Sequence, residues 1–426
     1  MITTFYGPQS FGGDASYVER LARALARRGH EVEVVHDADA FEVVRGGVPL
    51  RPWPEPPEGV TVHTLSSRAG ALGPLWTHQS GGPGLRTARL RHILREGAFD
   101  VVHFHNISLL GGPGVLEMDC GGSRPVRLMS LHDYWLICPM HLLWKLGRKV
   151  CDGPQCVRCM LHGRRPPQLW RRTGRSVRGL RALDALLAPS RYCAELHRQN
   201  GVDAHIIALP YHLPADWAAG AKGRPSRSSP RPYFAASGRL VEEKGFRGLI
   251  ELMRDLPELD LKLAGTGPRE AELRALATGL PNVELVGLLG PPDLAALYEG
   301  AVALVAPSLF PETFGYSVAE ALSTGTPALV PRTGALPEQV EETGGGIVYE
   351  SEEELRAAML RLAADSSLRR ELGQRGREGA ARRHDEEAHL EHYLALVDEL
   401  RRGASRDPDR EVEARFESGP PVSRDK

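Results

Sequence analysis

Short apolar runs alternate with stretches of helical periodicity along most of the chain, and that alternation limits the fold more than any other feature. Runs at 2–6, 32–36, 101–104, 126–130 and 186–188 have strand length and are rich in Val, Ile, Leu and aromatic residues. A second set follows at 233–237, 261–264, 283–286, 302–306 and 328–330. Amphipathic helices lie between them, such as 17–28, closed by Gly29, and 269–277. Parallel strands need a crossover, usually helical, so this alternation builds parallel sheets with helices on both faces. Two sets of runs predict an α/β chain with two doubly wound sheets.

At 426 residues the chain exceeds one ordinary core and suits two domains. Apolar periodicity stops over residues 218–232, AAGAKGRPSRSSPRP, which is the expected linker. The first domain is then residues 1–217 and the second 233–384. Two or three helices are expected after Ser351. The last, at 385–402, is long enough to cross back to the first domain. The polar tail from 403 to 426 reads as disordered. Charges nearly cancel, 53 basic against 54 acidic, so no nucleic-acid partner is expected. No apolar run approaches the roughly 18 residues of a membrane span, and the N-terminus lacks a basic region followed by an apolar stretch. A cytoplasmic protein, at most peripheral at the inner membrane surface, is the expectation.

Doubly wound sheets bind ligands beyond the C-terminal ends of their strands, so chemistry belongs in the loops that follow strands. The segment PETFGYSVAEALSTGTP, residues 311–327, places Glu312 in such a loop, then Phe314 and Gly315. Glu320 follows inside a short helix, about two turns from Glu312, and Gly325 and Pro327 end that helix. A helix N-terminus gathers free backbone N–H groups and positive dipole, and Gly315 allows close approach, which suits phosphate. Two carboxylates beside it suit hydroxyls. Two glutamates eight residues apart are also what a solvated helix face would carry, so the neighbouring motifs decide.

Those motifs are present. SGRLVEEKGF, residues 237–246, carries Gly238, Arg239 and Lys244 at a strand-to-helix junction. Such cations can clamp a pyrophosphate, the arginine by a forked pair of hydrogen bonds and the lysine as a point charge. The plain alternative makes them partners of Glu242 and Glu243. Gly265, Thr266 and Gly267 repeat the arrangement of strand, glycine turn and helix. In the first half Gly12 and Gly13 precede a helix without the G-x-G-x-x-G spacing of dinucleotide folds. A tight turn with Asp14 as N-cap is the alternative there. His132 and Asp133 follow the run 126–130, while His103, His105 and Asn106 end or follow 101–104. A histidine at a strand end can donate to a sugar hydroxyl or to developing negative charge.

Taken in order, Gly12-Gly13, His132, Gly238-Arg239-Leu240 with Lys244-Gly245, Gly265-Thr266-Gly267 and Glu312-x7-Glu320 resemble the retaining glycosyltransferases of glycosyltransferase family 4. The resemblance spans roughly residues 1–400 and implies the GT-B fold, two Rossmann-like domains facing across a cleft. It implies transfer of a sugar from a nucleotide diphosphate, UDP or GDP, to a hydroxyl-bearing acceptor. Arg239 and Lys244 would hold the donor diphosphate, with backbone amides at Phe314 and Gly315 helping. Glu320 would accept from the ribose hydroxyls and Glu312 from the sugar. Gly13 would face the donor phosphate and His132 the transferred sugar. Gly12, Gly238 and Gly265 would line the donor site. No Asp-x-Asp metal signature is evident, so catalysis is expected to need no metal. A nucleotide-sugar epimerase of the same fold, or a non-catalytic metal-organised binding protein, are the alternatives.

Cys138, Cys151, Cys156 and Cys159 fall within about 138–160, ending in C-x-x-C. Four thiols with a close pair suit a tetrahedral structural zinc, with His141 or His162 as substitutes; reduced thiols and disulfides are the other readings. A subgroup of the same family looks similar here, which implies an insertion on the acceptor side of the cleft. Arg164, Arg165, Arg171, Arg172, Arg175, Arg178 and Arg181 then make a basic segment with Trp170. It suits an anionic acceptor or a peripheral membrane contact, although such a run is more often a solvated helix face.

Overall fold

The computed structural model describes residues 1–10, 12–45, 58–121, 124–215, 217 and 231–403. Nearly all of the linker 218–232 and all of the tail beyond 403 lie outside the described residues.

The first sheet runs Val60–Leu65, Val32–Asp37, Ile2, Val101–Phe104, Val126–Ser130, Ala185–Ala188 and Ile206–Ala208, with every neighbour parallel. The run expected at 2–6 contributes only single bridges, from Ile2 to Val35 and Phe104. Its backbone leaves the sheet at Thr4, whose N–H donates to the Asn106 carbonyl. Tyr6 then turns back onto Gln9, with the Ser10 hydroxyl on the Gly7 carbonyl at 2.7 Å. The second sheet runs Val283–Gly287, Asp260–Ala264, Tyr233–Ser237, Leu304–Val305, Ala328–Pro331 and Gly346–Tyr349, again all parallel. Numbered along the chain this is the order 3-2-1-4-5-6 of a doubly wound fold.

In each sheet the winding direction reverses between the first and fourth strands, so helices depart to opposite faces and a crevice opens at the strand ends. In the second sheet that point lies between Tyr233–Ser237, which leads into Gly238 and Arg239, and Leu304–Val305, which leads into Glu312. In the first it lies between Ile2, which leads into Gly12 and Gly13, and Val101–Phe104, which leads into His105. The topology therefore delivers the sequence motifs to two crevices.

The helix Gly13–Arg27 begins earlier than the apolar pattern suggested and buries Ala15, Tyr17, Val18, Leu21, Ala22, Ala24 and Leu25. Its N-cap is Gly12 at φ 96°, where a side chain would be strained, and Asp14 sits in the first turn and is not the cap. Three helices follow the second sheet: Glu352–Ala364, Ser366–Arg383 and Glu386–Arg402. The last lies on the first sheet's side of the molecule. Its Tyr393 hydroxyl is 3.2 Å from His103 Nδ1, and Arg401 donates to Asp100 at 2.8 Å. One hydrophobic cluster joins Val18 and Leu21 to Tyr211 and Trp217, and onward to Phe314, Val318 and Leu390. The two sheets are thus tied by a shared apolar seam.

Candidate functional site

Glycines set the geometry on the second sheet's side. At Gly245, with φ 72°, an added Cβ would lie 2.0 Å from the Pro307 carbonyl oxygen. That close approach presses the Lys244 turn onto the loop after Leu304–Val305, where the Leu309 N–H donates to the Glu243 carbonyl. Lys244 Nζ consequently stands 2.8 Å from Glu312 Oε1, an oxygen that also accepts from the Ser308 hydroxyl. Gly238 and Gly265 back one another: a Cβ on Gly265 would meet the Gly238 carbonyl oxygen at 1.9 Å, and the Leu240 N–H donates to Thr266. Gly265 therefore buttresses the turn that carries Arg239, and Arg239 itself is exposed on it.

Gly315, at φ 93°, caps the helix Tyr316–Thr324. Its missing side chain leaves room for Leu336, which an added Cβ would approach to 2.2 Å. Gln339 donates to the carbonyls of Phe314 and Gly315, which fixes the backbone of the helix cap. Phe314 turns its ring into the seam, 4.9 Å from Tyr211. Glu320 lies in the helix's second turn, buried, and burial raises its pKa against the pull of Arg20.

The first sheet's side is built from neutral rings. His132 Nε2 lies 3.0 Å from His105 Nδ1 and its Nδ1 lies 2.5 Å from the Tyr211 hydroxyl, while its carbonyl accepts from Thr313 at 2.8 Å. Burial pushes the His132 pKa down to about 4, so the ring is neutral near pH 7. Both nitrogens are thus engaged, which sequence alone did not show. His103 is spanned between Ser130 at 2.9 Å and Tyr393 at 3.2 Å. Tyr211 stacks on Tyr17 at 4.2 Å and on Tyr316 at 5.5 Å. Asp14 accepts from Asn106 at 3.3 Å, and burial, with Asp133 nearby, raises its pKa to about 6.

Two side chains that the motifs did not reveal, Arg20 and Tyr211, connect the halves, and Tyr17 stacks on Tyr211 from the first. Arg20 Nη2 is 3.1 Å from Glu320 Oε1. Gly13 touches the second domain too, since a Cβ there would stand 2.9 Å from the Tyr316 ring. Farther out, Glu338 accepts from the backbone N–H groups of Arg191 and Tyr192 and from Arg383. No local sequence pattern marked Arg20, because its partner Glu320 lies 300 residues along the chain.

The cysteine insertion joins the same rim. His141 Nδ1 is 2.7 Å from Asp133, the residue after His132, and the Cys138 N–H donates to Tyr134. A short hairpin, Trp144–Lys145 with Lys149–Val150, separates Cys138 from Cys151, and Cys156 opens the helix Cys156–His162. All four cysteines are free thiols. Among the described residues no three His, Cys, Asp or Glu side chains converge in a geometry that could hold a metal ion, so no ligand set accompanies the zinc expectation. The basic segment also divides. Arg171 turns inward, donating to the Trp135 and Leu136 carbonyls over the Trp170 ring, and Arg175 donates to Ser80. Arg164, Arg165, Arg172, Arg178 and Arg181 are exposed. No helix among the described residues is long and apolar enough to cross a membrane.

Comparison with known proteins agrees with this architecture. Residues 11–211 match the family model Glycosyltransferase Family 4, and residues 222–379 match Glycosyl transferases group 1. The lipopolysaccharide core biosynthesis glycosyltransferase LpsE of Rhizobium meliloti is 31% identical over 168 residues, 39% of this chain and 49% of that protein. The chain thus spans about half the length of that relative. A D-inositol 3-phosphate glycosyltransferase of Pseudarthrobacter chlorophenolicus is 27% identical over 370 residues, 81% of this chain and 80% of its own. Sucrose-phosphate synthase of Thermosynechococcus elongatus has the same fold, with a TM-score of 0.66 over 95% of this chain and 99% of that one at 20% identity. With one matched model on each of two facing parallel sheets, the chain belongs to glycosyltransferase family 4 and has the GT-B fold.

Proposed function

We propose that the protein transfers a sugar from a UDP- or GDP-linked donor to an acceptor hydroxyl with retention of anomeric configuration. The observation that carries this reading is the meeting of Lys244 and Glu312 at 2.8 Å beside the Gly315 helix cap, at the crevice of the second sheet. A cation, a carboxylate and a helix N-terminus at one point match a ligand with both phosphate and hydroxyls. Arg239, Lys244 and the amides at Phe314 and Gly315 stabilise the charge that builds on the leaving diphosphate. The leaving phosphate takes the acceptor proton. Glu312 positions the sugar: its Oε1 is already engaged by Lys244 and Ser308, which favours a hydrogen-bonding role over that of a free nucleophile. Glu320 holds the ribose.

The acceptor is a polysaccharide, a lipid-linked glycan or a small metabolite, and it enters over His132 and the cysteine insertion. Exposed Leu169 and Val177 share the segment 164–181 with its exposed arginines, and exposed Leu161 comes just before it, which supports peripheral contact with an anionic membrane carrying lipid-linked acceptors. Co-sedimentation with phosphatidylglycerol vesicles, lost in an Arg172→Glu/Arg178→Glu variant, tests that contact; equal sedimentation of both proteins would refute it. For the reaction itself, thermal shift with a panel of UDP- and GDP-sugars is the first experiment. One nucleotide class should raise Tm by mass action, and no shift with any of them would overturn the donor assignment.

A further inference from the structure

Glu320 is held from the wrong side for a ligand. Its carboxylate is taken by Arg20, which stands on the helix Gly13–Arg27 of the opposite domain, and both side chains are largely buried. The Arg20 guanidinium lies 4.6 Å over the Tyr316 ring and 5.9 Å from Trp217, whose indole N–H in turn donates to the Glu320 carbonyl at 3.2 Å. Arg20 Nη1 is buried with no hydrogen-bond partner among the described residues. A guanidinium in that position depends on Glu320 for its compensation, because leaving a buried charge unpaired is strongly unfavourable. Gly13 meanwhile touches Tyr316, so the first-domain turn rests on the helix that carries Glu320. The contacts that draw the domains together therefore consume the carboxylate that a nucleotide would use.

We propose that Arg20 and Glu320 form an autoinhibitory latch between the domains, which the donor must open by exchanging Arg20 for its ribose hydroxyls. The proposal rests on the reading of Glu320 as the ribose contact. A protein that is competent only when unlatched binds with an apparent affinity reduced by its unlatched fraction. Removing Arg20 removes that reduction. The latch also makes first-domain opening and nucleotide entry one event, so the donor-free enzyme keeps Lys244, Glu312 and Glu320 all internally paired.

Isothermal titration of UDP and GDP into the full-length protein tests this, comparing wild type with Arg20→Ala, Arg20→Gln and Glu320→Ala. Arg20→Ala is expected to bind the preferred nucleotide about 3- to 10-fold more tightly, as for an unlatched fraction of about a tenth to a third. Its radius of gyration in nucleotide-free solution scattering should also increase. Arg20→Gln keeps a polar but shorter and uncharged side chain and should tighten binding as well, so it decides the matter if the alanine variant does not fold. Unchanged or weaker binding in the folded Arg20 variants would overturn the latch. Glu320→Ala should bind more weakly; if it does not, the ribose assignment itself fails, independently of what Arg20 does.

Discussion

The two crevices that face each other are made of different material. The second sheet presents charges that pair at the surface of its loops: Lys244 with Glu312, their side chains 24% and 12% exposed, and Arg239 exposed beside them. The first sheet presents neutral rings locked to one another: His132 between His105 and Tyr211, and His103 between Ser130 and Tyr393. Charged loop residues can exchange an internal partner for a ligand phosphate at little structural cost. A buried imidazole with both nitrogens engaged cannot be freed without leaving a polar group unpaired. The second sheet's loops are therefore suited to the proposed donor binding, and the ring network holds the facing wall in one shape.

Breaking the donor side should show in rate and hardly in stability. Lys244→Ala is expected to lower kcat by about 10²–10³, the usual loss for one group stabilising developing charge. The partly exposed pair it breaks is worth at most about 1 kcal/mol to the fold. A large fall in Tm with kcat retained would reverse the contrast.

The ring network should show in acid. The network extends to His389, whose Nε2 is 3.1 Å from the Tyr17 hydroxyl, and to His384, whose Nδ1 is 2.9 Å from the Tyr211 carbonyl oxygen; burial holds His132 and His389 down to about 4 and His384 down to about 3. The unfolded chain takes up these protons near pH 6.5, so between there and about pH 4 it binds more protons than the folded protein. Stability should accordingly be full above pH 6.5 and fall steadily as the pH drops through that window, by several kcal/mol in sum. Thermal denaturation from pH 7.5 to 4.5 checks this, and a flat Tm would sink it.

Asp14 works in the opposite sense. Folding raises its pKa from 3.8 to about 6, so the folded protein keeps the proton longer than the unfolded chain does. Its contribution declines as the pH rises from about 4 to 6. Asp14→Asn should therefore stabilise the protein at pH 7 by about 1–3 kcal/mol and make no difference near pH 4. A variant destabilised at pH 7 would show that the carboxylate has a favourable partner.

The smallest effect is expected from Tyr211→Phe. It removes one hydroxyl from His132 and keeps the ring stacked between Tyr17 and Tyr316, for a loss of about 1–2 kcal/mol. Denaturant titration measures it, and an unchanged midpoint would mean that His132 finds another partner.

What could be read from the sequence follows the same division. Strands at 101–104, 126–130 and 233–237 were legible because central parallel strands are continuous apolar runs. Val60–Leu65 and Gly346–Tyr349 were not, since one is an edge strand alternating with Thr and His and the other opens with two glycine neighbours. Gly346 is required there because a Cβ would reach the Ala328 carbonyl oxygen at 2.0 Å. Lys244 could be picked out as a cation beside a glycine turn after a strand, and Glu312 only through the company of that motif and the others in order. Arg20, Tyr211 and His389 could not, because their partners lie far along the chain: Arg20 meets Glu320, 300 residues away, and Tyr17 meets His389 at a separation of 372. Local patterns carry no record of such pairs. The cysteines show the converse, a pattern plain in sequence without a converging ligand set among the described residues.

The most direct test of the diphosphate site is nucleotide binding by Arg239→Ala and Lys244→Ala, measured by calorimetry against the nucleotide that stabilises the wild type. If these cations hold the diphosphate, each variant should bind at least about tenfold more weakly, a loss of about 1.4 kcal/mol or more, while remaining folded. Wild-type affinity in both variants would place the donor elsewhere and contradict the site.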